Sequence, residues 1–217
     1  MNDNGYFIDN ICDNWVIKRI RQKFLNLFEC QNDTEVIKLY RENKPHWVKA
    51  YDQLRYLPEI YQLASSFLVL VLAKKAGIKN PAIGAKLVVR ADMPNDDEWS
   101  FPPHQDAPYN PGSGNRITIW IPFQDVGMID GALRVIPGSH LAGELPSKDN
   151  LLIARPPAEN YMPVPVKCGQ ALAFSQFLIH TSGPNRSDTV RFSLQVRFND
   201  LNELVHDNAE SLQTQTA

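Results

Sequence analysis

The period-two alternation of VRFSLQVRF, residues 190–198, constrains this chain more than any other stretch. Arg191, Ser193, Gln195 and Arg197 fall on one side and Phe192, Leu194, Val196 and Phe198 on the other, the arrangement an extended strand produces. In an ordinary half-buried strand the polar side faces water, and Arg191 is a surface residue. In a barrel that encloses a polar site the polar side lines the interior, where an arginine needs a carboxylate partner to offset its desolvation. The alternation alone leaves both readings open.

Similar short runs rich in β-branched and aromatic residues precede it: AKLVVRA at 85–91, RITIWIPF at 116–123, ALRVIP at 132–137 and ALAF at 171–174. Connectors full of Pro, Gly, Asn and Asp separate them, which points to a sandwich, barrel or jelly roll. Before them, from Trp15 to about Ala76, apolar residues recur at helical spacing: Val16, Ile20, Phe24, Leu27 and Phe28, then Leu63, Phe67, Leu70 and Leu72. Pro45, Pro58 and Pro81 punctuate this third, and GIKNP at 77–81 reads as its exit. The expected fold is mainly β, with the helices covering one face of the sheet from outside. We read residues 1–217 as one domain: a helical region at 1–80, a β core at 81–200, and a polar tail at 207–217 expected to be disordered.

Net charge is -2 with both signs dispersed, so no broad attraction to nucleic acid is implied. The basic residues between Lys18 and Lys49 are interrupted by Glu29, Asp33, Glu35 and Glu42 and read as solvated helix faces. Three cysteines at unrelated spacings, Cys12, Cys30 and Cys168, argue against a disulfide framework or a thiolate metal site. The opening MNDNGYFIDN lacks a basic stretch followed by an apolar one, so no secretory leader is expected and the reducing cytoplasm is the expected compartment. The apolar run Phe67 to Ala73 is too short for a bilayer span. The expected partner is a small molecule, with no nucleic acid and no membrane, and the chain is expected to be a monomer or homodimer.

The chemistry centres on His104 and Asp106 in PPHQD, on His180, and on Arg191 eleven positions beyond it. Residues two apart on a strand point the same way, so His104 and Asp106 can reach one metal ion. His46, His140 and His206 compete with His180 for the third position. His180 is preferred because it closes the apolar run FLI just before the SGPNRSD turn. Two imidazoles and one carboxylate leave positions open on a non-haem Fe(II) ion for a co-substrate and O2. Arg191 offers a planar fork for the far carboxylate of a dicarboxylic co-substrate, 2-oxoglutarate.

Residues 84–198 resemble the phytanoyl-CoA dioxygenase family of Fe(II)- and 2-oxoglutarate-dependent oxygenases, through PPHQD, ITIWIPFQDV, GALRVIPGSH and IHTSGPNRSDTVR. The resemblance implies a double-stranded β-helix, the jelly-roll or cupin-like fold. It implies His104, Asp106 and His180 as iron ligands, with Arg191 and Ser182 holding the distal carboxylate of 2-oxoglutarate. Trp120 and Lys86 fall where the family places residues near the co-substrate, though Trp120 also suits a core aromatic. Arg134 and the PG turn are expected to shape a loop, with His140 supporting rather than ligating. The implied reaction is hydroxylation of an aliphatic carbon with release of succinate and CO2. Related halogenases carry a small residue in place of the carboxylate, so Asp106 favours hydroxylation.

Residues expected to face the substrate are Arg90, Trp99, Gln105, Tyr109, Asn110, Arg116, Gln195 and Arg197. They suggest a polar or anionic small molecule: a sugar derivative, nucleotide-linked intermediate, amino acid or natural-product precursor. Two other classes stay open, a non-catalytic sensor that keeps the fold and a cupin-like metalloenzyme of another reaction class, such as an isomerase.

Overall fold

The computed structural model describes residues 1–84, 86–109 and 112–203. The tail expected to be disordered, the rival His206 and the candidate Asn110 lie outside them.

The chain enters on strand β1 (Tyr6–Asn10), then runs through five helices: α1 (Asn14–Leu27), α2 (Asp33–Glu42), α3 (Lys44–Leu54), α4 (Pro58–Ala64) and α5 (Phe67–Lys75). The helices match the apolar periodicity. Pro45 and Pro58 sit in the first turns of α3 and α4, where a missing N–H costs nothing, so they start helices instead of breaking them. Asn32 caps α2 by accepting from the Glu35 N–H, and the Glu35 carboxylate reaches back to the Gln31 N–H at 2.8 Å. Strand β1 lies before Trp15, where the helical spacing begins, and adds a strand to the region 1–80.

The β core follows as β2 (Pro81–Ile83), β3 (Val88–Asp92), β4 (Arg116–Pro122), β5 (Arg134–Val135), β6 (Ser147–Lys148), β7 (Leu151–Leu152), β8 (Met162–Pro163), β9 (Gln170–Ser175), β10 (His180–Thr181) and β11 (Arg191–Asp200). The larger sheet is antiparallel in the order β1-β9-β4-β11-β2, and β3 pairs with the first half of β11. A smaller sheet, β10-β5-β8, faces it, and β6 and β7 form a hairpin. This is the expected jelly roll.

Strand β11 is buried on both sides, and each side has its own partner. Phe192, Leu194, Val196 and Phe198 join Ile117, Ile119 and Ile121 of β4 in one core with the helices. There Phe24 of α1 meets Phe123 edge-on at 4.7 Å and Phe192 at 5.3 Å. The helices therefore pack outside the larger sheet, as expected. The polar side of β11 turns into the jelly roll, in register with Thr118 and Trp120 of β4 and with Arg90 and Asp92 of β3. Of the two readings of the alternation, the structure takes the interior one. Between the sheets a second core gathers Trp120, Leu133, Val135, Leu172, Phe174 and Leu178.

Two glycines let the sheets close. A Cβ at Gly183 would lie 2.1 Å from the Ala132 carbonyl oxygen, and Gly131, at φ +81°, lies against the Gly183 carbonyl and the Arg191 guanidinium.

Candidate metal centre and its cavity

His104 and His180 face each other across an antiparallel bridge that ties the segment before β4 to β10. The turn ahead of the bridge is held by the GALRVIPGSH segment. The Ile179 N–H donates to Ser139 Oγ at 2.9 Å, Ile136 N–H donates to the Ile179 carbonyl at 3.0 Å, and Arg134 pairs with Thr181. The segment thus supports the histidine instead of supplying a ligand. His140 lies over Gly5, where an added Cβ would come within 2.4 Å of its Nδ1.

Backbone carbonyls fix both imidazoles. His104 Nδ1 lies 2.8 Å from the Pro102 carbonyl and His180 Nδ1 3.0 Å from that of Leu178. A carbonyl only accepts, so each Nδ1 carries the proton and each Nε2 keeps its lone pair. Burial, reinforced for His104 by the neighbouring His180, holds both imidazoles below their ordinary pKa, so they stay neutral. Phe101 and Tyr109 wall His104, and Phe174 walls His180.

Asp106 completes the group: donor atoms of His104, Asp106 and His180 all lie within 4.8 Å of one another, and all three residues are buried. Burial acts to raise the Asp106 carboxyl. The adjoining imidazoles, the Arg197 guanidinium and a hydrogen bond from Thr118 outweigh it and hold the group ionised. The Thr118 hydroxyl donates to Oδ2, and Arg197 Nη2 approaches Oδ1 at 3.2 Å. Gln105, between the two ligands, turns away. Its amide donates to the Gly143 and Phe177 carbonyls, and its Oε1 accepts from the Leu145 N–H, so it secures loops and is not among the residues lining the cavity described next. The donor set, two neutral imidazole nitrogens and one carboxylate on one side, suits Fe(II) with open positions.

A cavity of about 350 Å³ opens in front of His104. Among its lining residues are the expected Lys86, Arg90, Tyr109, Ser182, Gln195 and Arg197, with Val88, Phe101 and Leu133. Ser182 Oγ accepts from the Phe101 N–H at 3.0 Å, so its own proton is free to point at a ligand. Trp99 is 53% exposed, and its carbonyl accepts from Arg90. Arg116 donates to Gln176 and does not line this cavity.

Trp120 departs from the expected position near the co-substrate, and Arg191 has a setting the sequence did not show. Trp120 is only 1% exposed, sits in the core between the sheets and does not line the cavity, so the core reading holds. Arg191 already has a carboxylate partner from the chain itself. Its Nε and Nη2 approach Asp92 Oδ2 at 3.2 and 2.9 Å, and its Nη1 donates to the carbonyls of Gly131 and Gly183, the latter at 3.1 Å. Arg90 grips the same Asp92, so one carboxylate bridges two guanidiniums behind the cavity. Sequence reasoning missed Asp92 because it lies 99 positions from Arg191 and meets it only through the β3–β11 register. It also missed Thr118, whose signal was available: in RITIWIPF the alternation puts Thr118 on the same side as Trp120.

The family model for phytanoyl-CoA dioxygenase (PhyH) matches residues 9–193. This chain belongs to that family. It is 34% identical over 125 residues to the methylphosphonate hydroxylase of Gimesia maris, covering 57% of this chain and 47% of that one. It is 28% identical over 160 residues to phytanoyl-CoA dioxygenase domain-containing protein 1 of Rattus norvegicus, covering 67% and 53%. The chain thus spans about half the length of these curated relatives. Among solved structures, the non-heme monooxygenase ThoJ superposes with a TM-score of 0.69 at 17% identity, covering 91% of this chain and 75% of that one. The epimerase SnoN, solved with Fe3+, alpha ketoglutarate and nogalamycin RO, gives 0.58 at 20% identity, covering 91% and 80%. Both support the jelly-roll fold. Among the described residues no helix is long and apolar enough to cross a membrane.

Proposed function

We propose that this protein is an Fe(II)- and 2-oxoglutarate-dependent dioxygenase that hydroxylates an aliphatic carbon of a small polar molecule. The observation that carries the reading is the pair of carbonyl-locked imidazoles whose Nε2 atoms converge with the Asp106 carboxylate. Membership of the dioxygenase family supports it, as does a hydroxylase among the relatives.

In this reading His104, Asp106 and His180 hold the iron. When bound, iron and 2-oxoglutarate supply the oxidising chemistry, with O2 consumed and succinate and CO2 released. The chain's own groups position and exclude. The locked Nδ1 protons keep the ring planes fixed, Thr118 and Arg197 hold the carboxylate ionised and oriented, and Phe101, Tyr109 and Phe174 keep water from the imidazoles. To the distal carboxylate of 2-oxoglutarate we assign Ser182, which lines the cavity, and Arg191, buried against the Gly183 carbonyl next in the chain and oriented by Asp92. Lys86 stands at the rim of the same cavity.

The test is succinate formation. It should require both Fe(II) and 2-oxoglutarate, and it should fall to background in His104→Ala and His180→Ala. Succinate formation that persisted in either variant would contradict the proposal.

A further inference from the structure

The charge of the cavity exceeds what a metal and a dicarboxylate need. Its lining includes Lys86, Arg90 and Arg197 and, among the described residues, no carboxylate. Behind the lining, Asp92 serves both Arg90 and Arg191, and Asp106 serves Arg197. Four cations therefore face two carboxylates. On the reading given above, a divalent ion adds two positive charges and the 2-oxoglutarate dianion removes two, so two remain unmatched: that of Lys86, which is exposed at the rim, and one among the three guanidiniums that share two carboxylates.

The positions of the unengaged donors show where the compensating charge belongs. Lys86 makes no ion pair among the described residues and stands at the cavity mouth. Only Nη2 of Arg197 is hydrogen-bonded among them, to Asp106 and to Gln195, while its Nε is buried without a partner. A buried guanidinium nitrogen left unmatched is costly, and an incoming oxyanion would relieve that cost. The Tyr109 ring packs edge-on to the His104 imidazole, so this wall adjoins the metal ligands. Size narrows the class further. About 350 Å³ lies near the small end of ligand pockets, and the co-substrate takes part of it, so a long acyl chain would have to extend out of the mouth into solvent.

We infer, resting on the oxygenase reading, that the substrate is a short aliphatic molecule ending in a dianionic phosphorus oxyanion, held between Lys86 at the mouth and Arg197 beside Asp106. A phosphonate and a phosphate monoester share this chemistry, and a carboxylate carries half the charge.

The inference is tested by equilibrium binding, independent of turnover. Protein loaded with Mn(II) and 2-oxoglutarate is titrated calorimetrically at mildly alkaline pH with ethylphosphonate, ethyl phosphate, propionate and 1-propanol. The expected result is that one or both phosphorus compounds bind more tightly than propionate, that 1-propanol does not bind, and that the better of the two phosphorus arms identifies the natural head group. Lys86→Met should weaken that binding about tenfold or more, and Lys86→Arg should restore most of it. Propionate or 1-propanol binding as tightly as the phosphorus compounds would overturn the inference, and so would Lys86→Met leaving phosphorus binding unchanged. Failure of the Mn(II)-loaded protein to take up 2-oxoglutarate at all would instead overturn the oxygenase reading beneath it.

Discussion

His104 and His180, 76 positions apart in the chain, each donate a backbone N–H to the other's carbonyl at 3.0 Å. This hydrogen-bonded bridge sets the separation of two metal-ligand candidates by main-chain geometry, before any side-chain rotamer is chosen. Their ring centroids lie 4.1 Å apart, and each ring is pinned by a carbonyl two residues upstream.

Removing one imidazole should therefore abolish tight metal binding without unfolding the protein. His180→Ala is expected to lose Fe(II) or Mn(II) binding, and His140→Ala to retain it, because His140 packs over Gly5 away from the triad. Metal titration of both variants, with circular dichroism as the folding control, checks this. Metal affinity lost in His140→Ala and kept in His180→Ala would reverse the ligand assignment.

Thr118 lies outside the proposed donor set, yet its hydroxyl donates to the Asp106 carboxylate. Thr118→Val keeps the shape and removes the donor. Metal affinity is expected to fall by about 10- to 100-fold, the range for lost outer-sphere partners of metal ligands. Unchanged affinity would show that Arg197 alone suffices to orient Asp106.

Asp92 is the shared counter-charge of Arg90 and Arg191. Asp92→Asn leaves two buried guanidiniums underpaired, and denaturant unfolding should show a loss of about 3–5 kcal/mol. Burial acts to raise the Asp92 carboxyl, and Arg191 and Arg90 outweigh it, so its folded pKa lies below the ordinary value. A depressed folded pKa contributes stability that is present above the unfolded value, about 3.9, and is lost as pH falls through the folded one. The wild type should lose this contribution on acidification, and Asp92→Asn should show a shallower acid limb. Equal acid limbs would remove Asp92 from the account.

Trp120 gives a prediction of the opposite kind, stability without ligand affinity. It is buried between the sheets with Leu172 and Phe174, so Trp120→Ala should cost about 3–5 kcal/mol. Trp120→Phe should be milder and leave 2-oxoglutarate affinity unchanged in calorimetry. A large loss of that affinity in the Phe variant would place Trp120 at the co-substrate.

These residues also show what the sequence makes legible. The longer strands, at 85–91, 116–123, 171–174 and 190–198, and the grouping of His104, Asp106 and His180 could be read because alternation and motif spacing are local properties. Strand β1 was not visible: YFIDN has no clean alternation and is a strand because β9 offers it an edge. The two-residue strands β5, β6, β7, β8 and β10 are likewise products of pairing, too short to carry a pattern. Which way the polar side of β11 faced depended on whether something covered the other side, and the helices that do so come from the first third of the chain. The partner of Arg191 was hidden for the same reason, since Asp92 meets it only after β3 and β11 register. Lys86 and Arg197 could be named from sequence, but their convergence on one cavity, with Arg197 tied to Asp106 and Lys86 outside any ion pair among the described residues, is a property of the fold.

The most direct test of the central claim is an anaerobic titration of metal-free protein with Fe(II) and then 2-oxoglutarate, followed by visible absorption. The account predicts the charge-transfer band of a keto acid chelated to iron, present in the native protein and absent in His180→Ala. Iron uptake with no band on adding 2-oxoglutarate would contradict it, leaving a metal site that does not serve this co-substrate.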